Sequence, residues 1–378
     1  MVRFVQTSDW QLGMTRYFLE GEAQARYTAA RIDAVRAIGK VARVQRCDFV
    51  LVAGDVFESN LVSTRTVARS LEAMGSIGCP VYLLPGNHDP LDAASVYTSA
   101  AFRRACPPGV VVLDQAGVHR VATGVEIVAA PWFHKPALTD LAAQALREAG
   151  EPDPGVTRLL LAHGPLDVLS PDDDDPARLS LAALESEIEA DRLHHVALGD
   201  RHSRLSVGRT GRVHYSGSPE VTAFRDEVPG DVLVVDVDAS SGAHAVRAHH
   251  VGTWRFTTMR RHLDTGEDLD ALEEEIAALD PKDRTVVRTA FVGTLSLANK
   301  ARLDDLLERW DDSLAARFTW AGHDDVAVRV EGSELTDLGV GGFVSSAVEE
   351  LLARAGGGEG EQSARDALAL LYRLGAAR

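Results

Sequence analysis

Cysteine is scarce in this chain. Its 378 residues include three, Cys47, Cys79 and Cys106, an odd number with no Cys-x-x-Cys spacing, which excludes a disulfide framework and a cysteine-built zinc site. Lysine is rare too, with only Lys40, Lys135, Lys282 and Lys300, and arginine carries most of the positive charge without implying a function by itself. Aromatic residues make up 6% of the chain. No stretch approaches the ~18–20 unbroken apolar residues of a membrane-spanning helix, and Met1-Val2-Arg3-Phe4-Val5 leads straight into a strand-like run. The expectation is a cytoplasmic protein with no membrane segment. Basic residues are outnumbered, 39 Lys and Arg against 56 Asp and Glu, for a formal charge of −17. That balance argues against a broad phosphate-binding surface but leaves room for a local basic strip or a metal site.

Against these absences stands an ordinary globular share of apolar residues, 45%, in an α/β pattern. Short apolar runs predict strands over Val2 to Thr7, Phe49 to Ala53, Val81 to Leu84, Val110 to Leu113, Val125 to Ala130, Arg158 to Ala162 and Val196 to Leu198. Each is near-continuously apolar, as strands covered on both faces are. Tyr27, Ala30, Ala34, Ile38 and Val41 mark a helix by their three- and four-residue spacing, and Ser180 to Leu193 marks another. Arg209-Thr210-Gly211-Arg212 reads as a hairpin turn, and Asp231 to Asp238 closes a first domain, residues 1–252. Residues 253–340 read as a smaller α+β accessory domain of βαβαβ order. Residues 341–378 read as two amphipathic helices joined by Gly356-Gly357-Gly358-Glu359-Gly360, a flexible tether. The last helix is either a docking element or an edge helix on its own domain. Asp172 to Asp175 reads as a solvated loop.

Five clusters stand at or just past strand ends, where open α/β sheets place their ligand sites. They are Ser8-Asp9-Trp10-Gln11, Gly54-Asp55-Val56-Phe57, Gly86-Asn87-His88-Asp89, Ala162-His163-Gly164 and Gly199-Asp200-Arg201-His202. Any one of them could be a helix cap, a turn or a satisfied histidine. Together they offer the oxygen and imidazole donors that two divalent cations ~3.5–4 Å apart require, including a short carboxylate to bridge them. Asp55 suits the bridge, because Gly54 lets the backbone turn sharply before it. His194 and His195 lie near Asp200 but fall at a helix-to-strand junction and read as surface residues.

In order and spacing these clusters resemble the calcineurin-like metallophosphoesterases, and within them the SbcD-type nuclease branch. That family reads Asp-x-His, Gly-Asp, Gly-Asn-His-Asp/Glu, a strand-terminal His and Gly-His-x-His. Tyr215-Ser216-Gly217-Ser218-Pro219-Glu220, with Phe224 after it, is similar to the nuclease branch as well. The resemblance implies an α/β four-layer sandwich of two mixed sheets flanked by helices, with a smaller α+β domain attached. It implies two metal ions, one held by Asp9, Gln11, Asp55 and His202 and the other by Asp55, Asn87, His163 and Asp200. Mn²⁺ is the first choice, with Mg²⁺, Fe or Zn²⁺ as alternatives. His88 would contact the scissile phosphate and assist the leaving oxygen, and Asp89 would orient its imidazole. The implied activity is that of a DNA-repair exonuclease on double-stranded ends, with single-strand endonuclease activity. The implied partners are DNA and an SbcC-type coiled-coil ATPase reached through a helix of residues 343–374, and a homodimer is left open. The chain departs from the pattern twice, at Gln11 and Asp200, where the family has histidine. Both changes replace nitrogen by oxygen and favour Mn²⁺ or Mg²⁺ over zinc. A small-molecule phosphodiesterase or phosphatase, and a non-catalytic DNA-end-binding scaffold with a degenerate site, remain as alternatives.

Overall fold

The computed structural model describes residues 1–170, 175–329, 343–356 and 361–376. They form two compact units, one of Met1–Arg16 with Gln24–Trp254 and one of Tyr17–Ala23 with Arg255–Arg378. The first unit runs β1 (Val2–Thr7), α1 (Gly21–Gln45), β2 (Phe49–Val52), α2 (Thr64–Gly75), β3 (Val81–Leu83), α3 (Ala100–Ala105), β4 (Val110–Val112), β5 (Gly117–Ala122), β6 (Val125–Ala130), α4 (Leu141–Ala149), β7 (Thr157–His163), α5 (Leu181–Glu189), β8 (His195–Gly199), β9 (Leu205–Val207), β10 (Val213–Tyr215), β11 (Asp231–Asp238) and β12 (Ala243–His250).

These strands make two six-stranded mixed sheets, ordered β12-β11-β1-β2-β3-β4 and β5-β6-β7-β8-β10-β9. The period-2 alternation of the strands divides their side chains among three cores. Phe4, Phe49, Leu51, Leu159, Leu161 and Leu233 fill the layer between the sheets. Val5, Val50 and Val52 point the other way, onto Val35 and Ile38 of α1 and Leu71 of α2. On the second sheet Leu160 and Val196 meet Ala142 of α4 and Leu184 and Ile188 of α5. The result is the expected helix–sheet–sheet–helix order in four layers.

Register levels the strand ends that matter. Thr7 pairs with Val52 and Val52 with Leu83 in the first sheet, and His163 pairs with Gly199 in the second. The loops after β1, β2, β3, β7 and β8 therefore leave from one edge of the sandwich. The predicted strands lie within a few residues of the observed ones, and the 209–212 turn does join antiparallel β9 and β10. Two strands escaped the sequence reading. β5 and β12 are sheet-edge strands with alternating, largely exposed residues, so neither shows a continuous apolar run. His194 and His195 correct the expectation of surface residues: they are 3% and 0% exposed, because β8 begins at the helix junction and carries them straight into the interior. Residues 172–174 of the acidic run and 357–360 of the glycine tether lie outside the described residues. The three cysteines are unpaired and half-buried.

The second unit runs β13 (Arg255–His262), α6 (Gly266–Ala277), β14 (Thr285–Ser296), α7 (Leu297–Ser313), β15 (Ala316–Thr319), β16 (Asp325–Arg329), α8 (Phe343–Ala355) and α9 (Glu361–Ala376). It has the βαβαβ order read from the sequence, with β14 long enough to pair β15 along one half of its length and β16 along the other. All pairings are parallel. Met259, Leu272, Ile276, Phe291, Leu306 and Trp310 form its core, and Phe18 stacks on Phe318 and meets Phe256 edge-on. Leu368 of α9 is fully buried in a cluster with Val348, Leu297 and Val328, so the last helix packs on its own unit. No helix among the described residues is long and apolar enough to cross a membrane.

The contact between the two sheets at the site is close enough to test. A Cβ on Gly199 would land on the Ala53 carbonyl oxygen, 2.7 Å from His163 Nδ1 and 2.9 Å from Ser8 Cβ. Gly199→Ala should lower the unfolding temperature, on the order of 1–3 kcal/mol of overpacking. Gly109→Ala, where a Cβ meets nothing within 4 Å, is the control. Equal melting temperatures for the two variants would contradict the described packing of β8 against the end of β2.

Candidate metal centre

Four residues of this edge share an unusual backbone state. Asp9, Gln11, Asp55 and Asp200 have φ of 52°, 47°, 54° and 105°, a region L-residues seldom occupy outside sites that over-determine it. What over-determines it is a mesh of backbone bonds: the Asp9 amide donates to the Gly54 carbonyl at 3.0 Å and the Gln11 amide to the Asp55 carbonyl at 2.9 Å. Trp10 anchors the first loop, fully buried, with its indole N–H on Thr7 Oγ1 at 2.9 Å. Gly54 turns at φ 88°, and any side chain there would collide with the His163 ring. Gly86 likewise leaves room for the Asp55 carboxylate.

The loops bring the predicted residues together. Ligand atoms of Asp9, Asp55 and His163 lie within 4.8 Å of one another, all three buried. Asp55 Oδ2 accepts from Gln11 Nε2 at 2.9 Å and Oδ1 accepts from the His88 backbone amide at 2.9 Å. His163 Nε2 is 3.4 Å from Asp55 Oδ1, and His202 Nε2 is 3.8 Å from Asp9 Oδ1. The Asp200 amide lies 3.2 Å from both Asp9 carboxylate oxygens. A cavity of about 440 Å³ opens over these groups, lined by Asp55, Asn87, His88, Asp200 and His202 and walled by Arg201 and Arg225.

A metal can be tested against this arrangement through the atoms that lack a partner. Gln11 Oε1, Asn87 Oδ1 and His163 Nε2 are buried without any hydrogen bond. Each is the atom that would face a cation, and leaving three such atoms unpaired costs roughly 1–3 kcal/mol apiece. His163 is already oriented to coordinate, since its Nδ1 donates to the Ala53 carbonyl at 2.8 Å, which leaves Nε2 as the coordinating nitrogen. The charges agree. Burial pushes the Asp9 carboxyl well above the usual carboxylate range, with Asp55 and Asp200 adding to it. Burial alone would lower His163, yet Asp55, Asp9 and Asp200 push it up to about 9, so that without a cation its ring carries the positive charge among the carboxylates and a metal would take the proton's place on Nε2. Burial brings His202 down to about 4, so its imidazole is neutral and able to ligate. The donor set fits hard divalent cations.

Two supports had no signature in the sequence. His202 Nδ1 is hydrogen-bonded to Thr222 Oγ1, which in turn donates to Asp226 at 2.8 Å. Arg31, 1% exposed, donates to the Trp10 carbonyl at 2.9 Å and to the Tyr27 hydroxyl at 3.0 Å, and Tyr27 donates to the Val221 carbonyl at 2.7 Å. The helix α1 thereby clamps the Asp9–Gln11 loop to the segment that holds Thr222. One expected role is corrected. Asp89 does not orient His88: its oxygens accept from the amides of Gly86 and Phe57 and the hydroxyl of Tyr97, at 2.8, 2.9 and 2.6 Å. The His88 ring is held instead by the Glu58 carbonyl, 2.9 Å from Nδ1. Asp89 braces the loop, because both oxygens of its buried carboxylate are taken up by Gly86, Phe57 and Tyr97, and His88 Nε2 lies 4.0 Å from Asp55 Oδ2.

Residues 2–235 match the model of the calcineurin-like phosphoesterase family. The chain belongs to that family. This calcineurin-like phosphoesterase is 25% identical over 279 residues to the SbcD subunit of the SbcCD nuclease of Escherichia coli K12, an alignment covering 64% of this chain and 66% of that protein, just under two thirds of its length. It is 31% identical over 91 residues to the DNA double-strand break repair protein Mre11 of Archaeoglobus fulgidus, covering 23% of this chain and 19% of the other. Among solved structures, TT1561 of Thermus thermophilus superimposes with a TM-score of 0.39 at 11% identity, over 66% of this chain and 99% of the other. Calcineurin-like phosphoesterases use a two-metal centre, and the buried group of Asp9, Asp55 and His163 is a candidate for holding metal.

Asp55→Ala should remove both metals, since its two carboxylate oxygens reach Gln11 on one side, at 2.9 Å, and His163 on the other, at 3.4 Å. Metal analysis of the purified variant is the check, and two retained equivalents would take Asp55 out of the bridge. Gln11→His should tighten the site occupied by Asp9 and His202, because imidazole binds first-row divalent ions better than a neutral amide oxygen. The readout is a Mn²⁺ and Zn²⁺ titration of unfolding temperature. Superimposable curves for the variant and the parent would mean that position 11 does not ligate.

Proposed function

We propose that this calcineurin-like phosphoesterase is a metal-dependent DNA nuclease, an exonuclease on double-stranded ends and an endonuclease on single strands, which works with a coiled-coil ATPase of the SbcC type. The observation that carries the reading is the three buried atoms without a hydrogen bond, Gln11 Oε1, Asn87 Oδ1 and His163 Nε2, on residues that contact Asp55 or line the cavity with it, beside the buried group of Asp9, Asp55 and His163. In this reading Asp9, Gln11, Asp55 and His202 hold one cation, and Asp55, Asn87, His163 and Asp200 hold the other. Mn²⁺ is the first candidate, because only two of those seven residues ligate through nitrogen. Two bound cations would supply a low-pKa water for in-line attack and neutralise the phosphodiester.

The chain's own residues do the rest. His88 is 38% exposed at its side chain, and with Nδ1 committed to Glu58 its Nε2 faces the cavity and can hand a proton to the departing oxygen. Arg201 and Arg225 line the same cavity, and neither guanidinium hydrogen-bonds or ion-pairs with a protein group among the described residues, so both are available to phosphate oxygens. This local basic wall is how a chain of charge −17 can engage DNA. The names of the two curated relatives, one a nuclease and one a double-strand break repair protein, support DNA over a small phosphodiester. The α8 and α9 hairpin, with Leu370 55% exposed, is the candidate ATPase contact.

End-labelled DNA and bis-p-nitrophenyl phosphate, each assayed with Mn²⁺, Mg²⁺, Fe²⁺ and Zn²⁺, test the reading together. Degradation of DNA ends with Mn²⁺ is expected. Hydrolysis of the small ester alone would make the protein a small-molecule phosphodiesterase, and full metal occupancy with neither activity would make it a scaffold. His88→Ala should retain its metals and lose ~10²-fold or more in turnover, whereas Asp89→Ala should disturb metal binding and folding through the Gly86–Phe57 turn. Normal turnover of His88→Ala with metals bound would end the proton-donor role.

A further inference from the structure

A second cluster of imidazoles lies in the first unit, on the strand whose other end carries Asp200. His195 opens β8, His214 lies on β10 and His244 on β12, so two of them belong to one sheet and the third to the other. His195 is fully buried and His214 8% exposed. One nitrogen from each lies within 4.8 Å of the other two. We propose that these three histidines form an all-nitrogen site for a late first-row transition metal, Zn²⁺ or Ni²⁺ in class, that staples the two sheets together away from the catalytic edge.

The hydrogen bonds set up the ligating atoms. Gln6 Nε2 donates to the His214 carbonyl at 2.7 Å, which can only accept, so the amide orientation is fixed and Gln6 Oε1 faces His195 Nε2 at 2.8 Å. His195 Nε2 must therefore carry the proton, leaving the lone pair on Nδ1. The Gly211 carbonyl, 2.9 Å from His214 Nε2, does the same for His214. A distal N–H tied to a carbonyl oxygen is how metal-binding histidines are usually held. His244 Nε2 lies 2.9 Å from His195 Nδ1, close to the separation of ~3.3 Å that two nitrogens ~2.0–2.1 Å from a tetrahedral ion would have. A small rotation of half-buried His244, with its proton moved from Nε2 to Nδ1 as the ring changes tautomer, replaces that N–H···N bond by coordination. Burial lowers the pKa of all three rings, that of His244 to about 4, so they are neutral and ready to ligate at neutral pH.

The cluster's composition selects the ion. No carboxylate belongs to it, whereas the catalytic centre is mostly oxygen. Nitrogen-only donors favour ions late in the first-row series and discriminate against Mn²⁺ and Mg²⁺. Bridging β8 and β10 to β12 would tie the edge hairpin β11–β12 to the second sheet.

Zn²⁺ and Ni²⁺ titrations of the Asp55→Ala protein, followed by bound metal and unfolding temperature, isolate this site from the catalytic one. A single equivalent should bind and raise the unfolding temperature by several degrees, with no effect of Mn²⁺. Adding His244→Ala, a change at a half-exposed edge-strand position, should abolish both the binding and the shift. His244→Ala alone should keep Mn²⁺-dependent activity. Binding that survives His244→Ala would place the metal elsewhere, and absence of binding to the Asp55→Ala protein would leave three hydrogen-bonded core histidines and no site. If Asp55→Ala retains its catalytic metals, the same comparison is read as the loss of one equivalent on His244→Ala, and an unchanged count overturns the proposal.

Discussion

Three carboxylates crowd the edge of the sandwich, and the first unit is built to hold them there. Asp9 and Asp55 are buried and Asp200 is half-buried beside them, and all three have positive φ. Both features oppose folding: strained residues cost of order 1–3 kcal/mol each, and like charges in a poorly solvated site repel. Sheet register and the mesh between the Asp9–Leu12 and Gly54–Val56 segments offset that cost. A cation supplies what the protein alone cannot, which is charge of the opposite sign beside the carboxylates and a partner for the buried, unpaired atoms of Gln11, Asn87 and His163. The strain and the unpaired atoms have one cause, a backbone shaped for a ligand.

The neighbours of these residues follow from that constraint. Glycine at 54, 86 and 199 leaves the volume that His163 and Asp55 occupy. The fully buried Trp10, the Arg31 clamp and the Thr222–Asp226 pair behind His202 each fix a loop that has no strand partner of its own. Arg31 is the most exacting of these, since a buried guanidinium is tolerated only when paired or well hydrogen-bonded. Its terminal nitrogens donate to the Trp10 carbonyl and the Tyr27 hydroxyl, while its buried Nε has no hydrogen-bond partner.

The layers and the ligand clusters were legible in the sequence because both are local. A strand buried on both faces writes a continuous apolar run, and the strand-end motifs are four residues long. β5 and β12 were not legible, since an edge strand mixes polar and apolar residues and resembles a loop. Nor could the sequence reveal what holds His88, because the Glu58 carbonyl is a backbone atom 30 residues away and every residue has a carbonyl. Asp89, adjacent in sequence, looked like the partner; its carboxylate serves the turn instead. His195 was misjudged for a related reason. A junction residue is exposed or buried according to which strand lies opposite, and here the strands opposite carry Gln6 and His244.

The two ends of β8 now present contrasting chemistries within five residues of each other in sequence. At its carboxyl end Asp200 stands where the family pattern has histidine, so the centre it joins is richer in oxygen and in negative charge. At its amino end His195 joins two further histidines and no carboxylate. Oxygen and nitrogen donors rank the divalent ions differently, and a late transition metal reaching the catalytic centre would bind there too tightly to be displaced by Mn²⁺. In the proposed ligand set Gln11 and Asp200 lower that risk, since oxygen donors in place of imidazole weaken affinity for nitrogen-seeking ions more than for hard ones. In the proposed ligand set the exchange at the catalytic edge is tuning toward hard cations rather than decay, because Gln11 stays buried with Nε2 on Asp55 Oδ2 and keeps Oε1 unpartnered and free to ligate.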